Sequence, residues 1–191
     1  MDSIVATNPI LRMHVVDVAE RLYNARGFQA VSMDELRAEA GVSLKKLYAL
    51  FPSKDAIIVA VLETRHAEWV EGVTDAVAAA ADPRAKMLAV YDWLSTWFCE
   101  DDFRGCAFIN AFAELGGMSP ALADIAREHK LDFQTYVATL VRAADGPDYL
   151  APQLAILAEG AQTTAAIAGT PEAADQARAA ASVLIDAALA A

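Results

Sequence analysis

Four prolines in this chain stand directly after a residue that caps helices: Asn8-Pro9, Asp82-Pro83, Ser119-Pro120 and Thr170-Pro171. A capping oxygen takes one of the orphan amides at a helix start, and proline at the first helical position gives up no hydrogen bond. Each pair therefore opens a helix. Glycines stand where helices should stop, at Gly27, Gly41, Gly116-Gly117, Gly146 and Gly169, because glycine readily takes the left-handed backbone that closes a helix. Valine and isoleucine do not alternate with polar residues over a strand's length, and much of the 56 % hydrophobic content is alanine, the best helix former.

These signals lay out an all-α chain of about nine helices: 9–26, 33–40, 44–50, one from just after Ser53 to about 81, then 83–99, 105–115, 119–144, 149–168 and 171–190. A length of 191 residues allows one large domain or two modest ones. The alanine-rich runs meet Asp, Glu or Arg before they reach the ~20 apolar residues a membrane span needs. No basic segment followed by an apolar run opens the chain, so no secretory leader is expected and the expected location is the cytoplasm. Cys99 and Cys106 have no partner pair at zinc-finger spacing and read as buried, reduced thiols.

Charge is distributed unevenly. The whole chain has 26 acidic and 15 basic residues, yet residues 1–60 hold seven of each. The net charge of −11 therefore belongs entirely to the rest of the chain. That later part should repel nucleic acid, whereas the N-terminal part need not.

Within the neutral part, Ser32-Met33-Asp34-Glu35 fits a capping box, with Ser32 on the Glu35 amide and Glu35 reaching back. Gly41-Val42-Ser43 then forms a tight turn, and Ser43 caps a third helix. Two short helices joined by a three-residue turn that starts with glycine form a helix-turn-helix. In the third helix Val42, Leu47, Leu50 and Phe51 face the core, leaving Leu44, Lys45 and Tyr48 outward with Lys46 at their flank. Such a helix fits a major groove about 12 Å wide. Lysine donates to guanine or pairs with phosphate, and Leu44 suits a thymine methyl. Tyr48, Lys54 and the Ser32 hydroxyl at its helix N-terminus suit backbone phosphates.

From about Ile10 to Val61 the chain resembles the TetR family of bacterial one-component transcriptional regulators. The matching stretch is "RLYNARGFQAVSMDELRAEAGVSLKKLYALFPSKDAI", and its most specific part is "AGVS…LY..F.SK", Ala40 to Lys54. The family usually has small residues where Lys45-Lys46 stand, and commonly histidine or tyrosine at Leu50. "RGCAFINAFAEL", Arg104 to Leu115, also looks like a stretch of some members' effector domains. The resemblance implies a helix-turn-helix DNA-binding domain over 1–53 and a helical ligand-binding and dimerisation domain over 54–191.

The residues of the acidic part can be read independently of that resemblance. Ile58, Leu62, His66, Trp69, Val73 and Val77 form a stripe on the fourth helix. Met87, Tyr91 and Phe98 follow on the fifth helix, with Trp93 and Trp97 on adjoining faces. Phe108 and Phe112 lie one turn apart, and Ile125, His129, Phe133 and Tyr136 follow on the seventh helix. Such stripes make either plain core or the wall of a cavity for an apolar or aromatic small molecule. His66, Asn110, Glu114 and His129 are the candidate polar groups of a cavity, and Cys106, Asn110 and Glu114 share one helix face. Interhelix hydrogen bonding is the other reading of Asn110 and Glu114. The ligand-binding set is then His66, Met87, Tyr91, Phe98, Cys106, Asn110, Phe112, Glu114, His129 and Phe133.

The last two helices repeat small residues, Gly160, Ala161, Ala165 and Ala168, then Ala173, Ala177, Ala180 and Ala181. Core packing within one subunit is one reading of this pattern; the expected one is a homodimer through about 149–190 that packs these helices as a four-helix bundle. No nucleophile elbow, phosphate-binding glycine loop or HExxH occurs, so no enzyme, cofactor or metal centre is expected. The expected function is a ligand-relieved repressor that binds a near-palindromic operator as a homodimer. The alternative is a small-molecule binding protein with an inert DNA module.

Overall fold

The computed structural model describes residues 8–190, and its described residues form nine α-helices without strands. They are α1 (Pro9–Arg26), α2 (Met33–Glu39), α3 (Leu44–Leu50), α4 (Lys54–Ala78), α5 (Pro83–Phe98), α6 (Ala107–Leu115), α7 (Pro120–Ala143), α8 (Leu150–Ala168) and α9 (Glu172–Leu189). The all-α reading and its helix-turn-helix start hold.

Most of the expected caps form. Asn8 Oδ1 accepts the Leu11 amide at 3.0 Å, and Asp82 accepts that of Ala85 at 2.8 Å. The Ser32–Glu35 box closes in both directions, at 2.8 Å from the Ser32 amide and 3.2 Å from the Glu35 amide. Ser43 Oγ accepts the Lys46 amide at 3.2 Å. Gly41, at φ +65°, sits where no residue with a Cβ is comfortable, which sharpens the turn from α2 into α3.

Other boundaries differ for physical reasons. Thr170-Pro171 opens α9 one residue late: Pro171 takes the cap position, and Thr170 Oγ1 accepts the amide of Glu172, the first helical residue, at 3.4 Å. Ser119-Pro120 does open α7, with Pro120 as its first residue, and the Ser119 hydroxyl also donates to Asp55 Oδ2 at 3.1 Å. After α7 it is Asp145, at φ +53°, and not Gly146, that takes the left-handed conformation. Gly105, at φ +85°, delays α6 to Ala107.

The described chain forms two compact units. The first comprises residues up to His66 together with Ala107–Ala126, and the second comprises Ala67–Cys106 with the chain from Arg127 on. The expected boundary at 53/54 lies inside the first unit, and α4 runs from the first unit into the second.

The core of the first unit includes Val15, Val18, Ala19, Tyr23, Phe28, Leu36, Leu47, Phe51, Ile57, Ile58 and Leu62, all buried. The helix-turn-helix gets its rigidity from this shared core. Helices of seven residues are too short to persist alone in water.

In the second unit α5, α8 and α9 pack on one another and on the second half of α7 around one apolar cluster. Ala161 and Ala165 of α8 and Ala173, Ala177 and Ala181 of α9 are buried in it, so these small residues serve close packing within the subunit. Gly160, Ala168 and Ala180 stay outside, beside Ile156, Ile167 (84 % exposed) and Val183 (69 % exposed). Arg84 grips Asp186 at 2.6 and 2.8 Å, and Arg178 meets Asp92 at 2.5 Å.

Candidate nucleic-acid interface and effector region

The third helix turns one face inward and one outward. Leu47, Leu50 and Phe51 are buried, Leu44, Lys45 and Tyr48 are exposed, and Lys46 is half-buried at their edge. At 1.5 Å per residue, its seven residues span about 10 Å, within reach of a few successive base pairs. Arg12 of α1 locks the far end of this helix: its guanidinium lies 4.1 Å from the Phe51 ring centroid and donates to the Leu50 carbonyl at 3.3 Å. His14 Nε2 lies 3.2 Å from the Ala40 carbonyl, tying α1 to the turn as well.

Two of the other expected phosphate contacts are engaged inside the unit. The Lys54 ammonium donates to the Gln29 carbonyl at 3.2 Å and lies 5.9 Å from the Tyr23 ring centroid. Partial burial lowers its pKa, opposed by the charges of Glu114, Asp55 and Glu35. The Ser32 hydroxyl accepts the Glu35 amide and donates to Glu35 Oε2 at 3.0 Å. Glu35 also pairs with Arg26 at 2.9 Å. Bonds from the Ser32 amide, Arg26 and the Ser32 hydroxyl hold the Glu35 carboxyl down at about 2.

The ten residues expected to bind a ligand divide between the two units. His66, Asn110, Phe112 and Glu114 belong to the first. There His66 meets Phe108 edge-on, with ring centroids 6.4 Å apart, and Phe112 is exposed. Glu114 turns to the α1–α2 loop, where its carboxylate accepts the Gln29 amide at 2.9 Å and its carbonyl accepts the Gln29 side-chain amide at 2.6 Å.

Met87, Tyr91, Phe98, Cys106, His129 and Phe133 belong to the second unit. Met87, Tyr91 and Phe133 come together with Val90, Val137, Leu140 and Leu154 around an apolar crevice of about 190 Å³, counting every gap between atoms. That volume includes space open to solvent, and the crevice leaves no room for even a water-sized molecule, so side chains fill it. Buried His129 stands edge-on to Trp69 at 5.3 Å between ring centroids, and Phe133 does the same at 5.1 Å. Phe98 packs on Phe103 at 4.7 Å. The Cys106 thiol is buried and accepts from Lys130 at 3.3 Å, while Lys130 pairs with Glu159 at 2.5 Å.

The hub of this aromatic cluster was absent from the expected set. Trp69 meets Trp93 edge-on at 5.8 Å, and Trp93 stacks on Trp97 at 5.3 Å. Trp69 stands in the α4 stripe with His66, and Trp93 and Trp97 lie one turn apart on α5, so the sequence carries the signal for this cluster. Gln29 and Arg12 had no such signal, since their partners lie 85 and 38 positions away. No group of three or more His, Cys, Asp or Glu side chains that could hold a metal occurs among the described residues.

Comparison with known proteins adds to this geometry. Residues 15–61 match the family described as bacterial regulatory proteins, tetR family. A crystal structure of a TetR-family transcriptional regulator from Streptomyces coelicolor superposes with a TM-score of 0.87 at 26 % identity, covering 94 % of this chain and 96 % of that one. The transcriptional repressor NemR of Escherichia coli is 30 % identical over 110 residues, 56 % of this chain and 55 % of that protein. The transcriptional activator FasR of Mycolicibacterium smegmatis is 33 % identical over 98 residues, 51 % and 44 % of the two chains. The chain thus spans about half the length of the curated relatives it matches.

Proposed function

We propose that this chain, which belongs to the TetR family of bacterial regulatory proteins, is a one-component transcriptional repressor that a small effector releases from DNA. The observation that carries the reading is the outer face of α3, where Leu44, Lys45, Lys46 and Tyr48 stand over a core of Leu47, Leu50 and Phe51. In a homodimer two such helices enter successive major grooves of a near-palindromic operator, about 34–36 Å apart. Ile156, Gly160, Ile167 and Val183, exposed on α8 and α9, supply the surface for the second copy, which would cover them in a four-helix bundle.

The effector is an apolar or aromatic small molecule that enters the cluster of Met87, Tyr91, Phe98, Trp69, His129 and Phe133. Because side chains fill that space, binding selects a minor, wider conformer. The effector must prefer the arrangement that does not fit DNA, since equal affinity for both shifts nothing. A coupling of ~1–3 kcal/mol relieves binding about 5- to 150-fold. α4, continuous from Lys54 to Ala78, carries the shift. The reading places the protein in the cytoplasm and assigns it no catalytic step.

The test is selection of duplexes from a random pool, followed by affinity against salt for wild type and the Lys45→Ala/Lys46→Ala variant. A two-fold-symmetric site, bound more weakly as salt rises and lost or relaxed in the variant, supports the reading. A folded, dimeric wild type that enriches no sequence at low salt overturns it and leaves a small-molecule binding protein with an inert DNA module.

A further inference from the structure

Gln29 lies in the loop between α1 and α2, three residues before the Ser32 cap, and three of its polar groups are engaged. Its amide donates to the Glu114 carboxylate at 2.9 Å, and its side-chain amide donates to the Glu114 carbonyl at 2.6 Å. Its own carbonyl accepts from Lys54 at 3.2 Å. The same carboxylate closes over Gly27, where an added Cβ would meet Glu114 Oε1 at 3.0 Å. One turn of α6 thus holds an exposed loop, and Lys54 ties that loop to the start of α4. The α6–α7 corner makes a second link when Ser119 donates to Asp55 at 3.1 Å. Both links lie inside the first unit, which includes Ala107–Ala126.

We propose that Glu114 is a positioning residue for DNA binding: from α6 it fixes the Gln29 loop and, through that loop, the entry to the helix-turn-helix. The inference rests on the DNA-binding reading above. Physically, a loop held at its amide, its carbonyl and its side chain is ordered before DNA arrives, so less order remains to be imposed on binding. The carboxylate forms the stronger, charge-assisted bond, and its loss frees an amide at the loop's surface. Glu114 is an anion that spends its carboxylate on Gln29 and neutralises no phosphate. Its removal should therefore change affinity without changing the number of phosphates neutralised, unlike removal of Lys45 or Lys46.

The test compares Glu114→Ala, Glu114→Gln and Ser119→Ala with wild type in the full-length protein. The readouts are binding to a duplex selected by the wild type and amide hydrogen exchange across residues 27–32. Glutamine keeps an acceptor oxygen and serine's loss leaves Gln29 untouched, so both variants separate the latch from general weakening of the fold. We expect Glu114→Ala to expose the Gln29 amide to exchange and to bind about tenfold more weakly, the order of one charge-assisted hydrogen bond, with the wild-type salt slope. Glu114→Gln should recover most of that affinity. Wild-type affinity in a Glu114→Ala protein with an exposed Gln29 amide would overturn the inference, as would a Gln29 amide unprotected in wild type. A wild type that selects no duplex overturns the DNA-binding reading itself, and the exchange data tell the two failures apart.

Discussion

The Tyr91 hydroxyl donates to the Leu154 carbonyl at 2.7 Å, joining α5 to α8 across a wholly apolar setting. Burial drives the phenol's pKa upward, so it remains a neutral donor throughout the physiological range. Tyr91→Phe keeps the ring and removes only this bond. The expected cost is about 0.5–1.5 kcal/mol in urea unfolding, with an unchanged denaturant slope.

Tyr23 makes the opposite case. Its ring packs at a tilt against Phe28 with centroids 5.1 Å apart, but among the described residues its buried hydroxyl has no hydrogen-bond partner. Removing an unsatisfied polar atom relieves a desolvation cost. Tyr23→Phe should leave stability unchanged or raise it by up to about 1 kcal/mol, measured in the same urea titration. A clear loss of stability would mean that the hydroxyl has a partner in solution.

These tyrosines mark the line between what the sequence makes readable and what it does not. Helix starts are readable at Asn8, Ser32, Ser43 and Asp82 because a cap and its amide lie within three residues. The inward and outward faces of α3 are readable because helical periodicity sets them. Periodicity also puts Cys106, Asn110 and Glu114 on one face, but Gly105 delays α6 to Ala107, so Cys106 lies before the helix and in the other unit. Glu114 meets Gln29, 85 positions back, and only the fold brings them together. Lys54 likewise reads as a phosphate contact from sequence, whereas the fold sets it on the Gln29 carbonyl and near the Tyr23 ring.

The capping box of α2 has a defined acid limit. Three hydrogen-bonding groups depress the folded-state pKa of Glu35 from 4.5 to about 2. A depressed carboxyl contributes stability that is present above its unfolded pKa and is lost as pH falls through the folded one. The box should therefore hold at pH 5 and weaken between pH 4.5 and about 2. An NMR titration of the Glu35 carboxyl and the Ser32 amide would follow both groups with one low midpoint.

Exposed apolar side chains on α8 and α9 offer a direct test of association. Ile167 and Val183 are mostly exposed, so charged substitutions there have little to disturb within the subunit. Ile167→Asp combined with Val183→Asp should shift a sedimenting dimer to monomer while helical content stays constant. A dimer that survives the pair would place the interface elsewhere.

The two cysteines differ in access. Cys99 is exposed, and Cys106 is buried beneath the Lys130 ammonium. A water-soluble thiol reagent should label one group per chain rapidly in the native protein, and the second only on unfolding. Cys99→Ser should abolish the fast phase.

Because Ala107–Ala126 completes the first unit, the body that carries the recognition helix is not one continuous stretch of gene. Recombination that exchanged only the codons up to His66 would transplant α3 and leave Glu114 and Ser119 behind. The new host would have to supply their equivalents by chance. The two units of such a chain are therefore not inherited as independent cassettes, and a substitution in α6 is filtered by its effect on the loop that leads into α2.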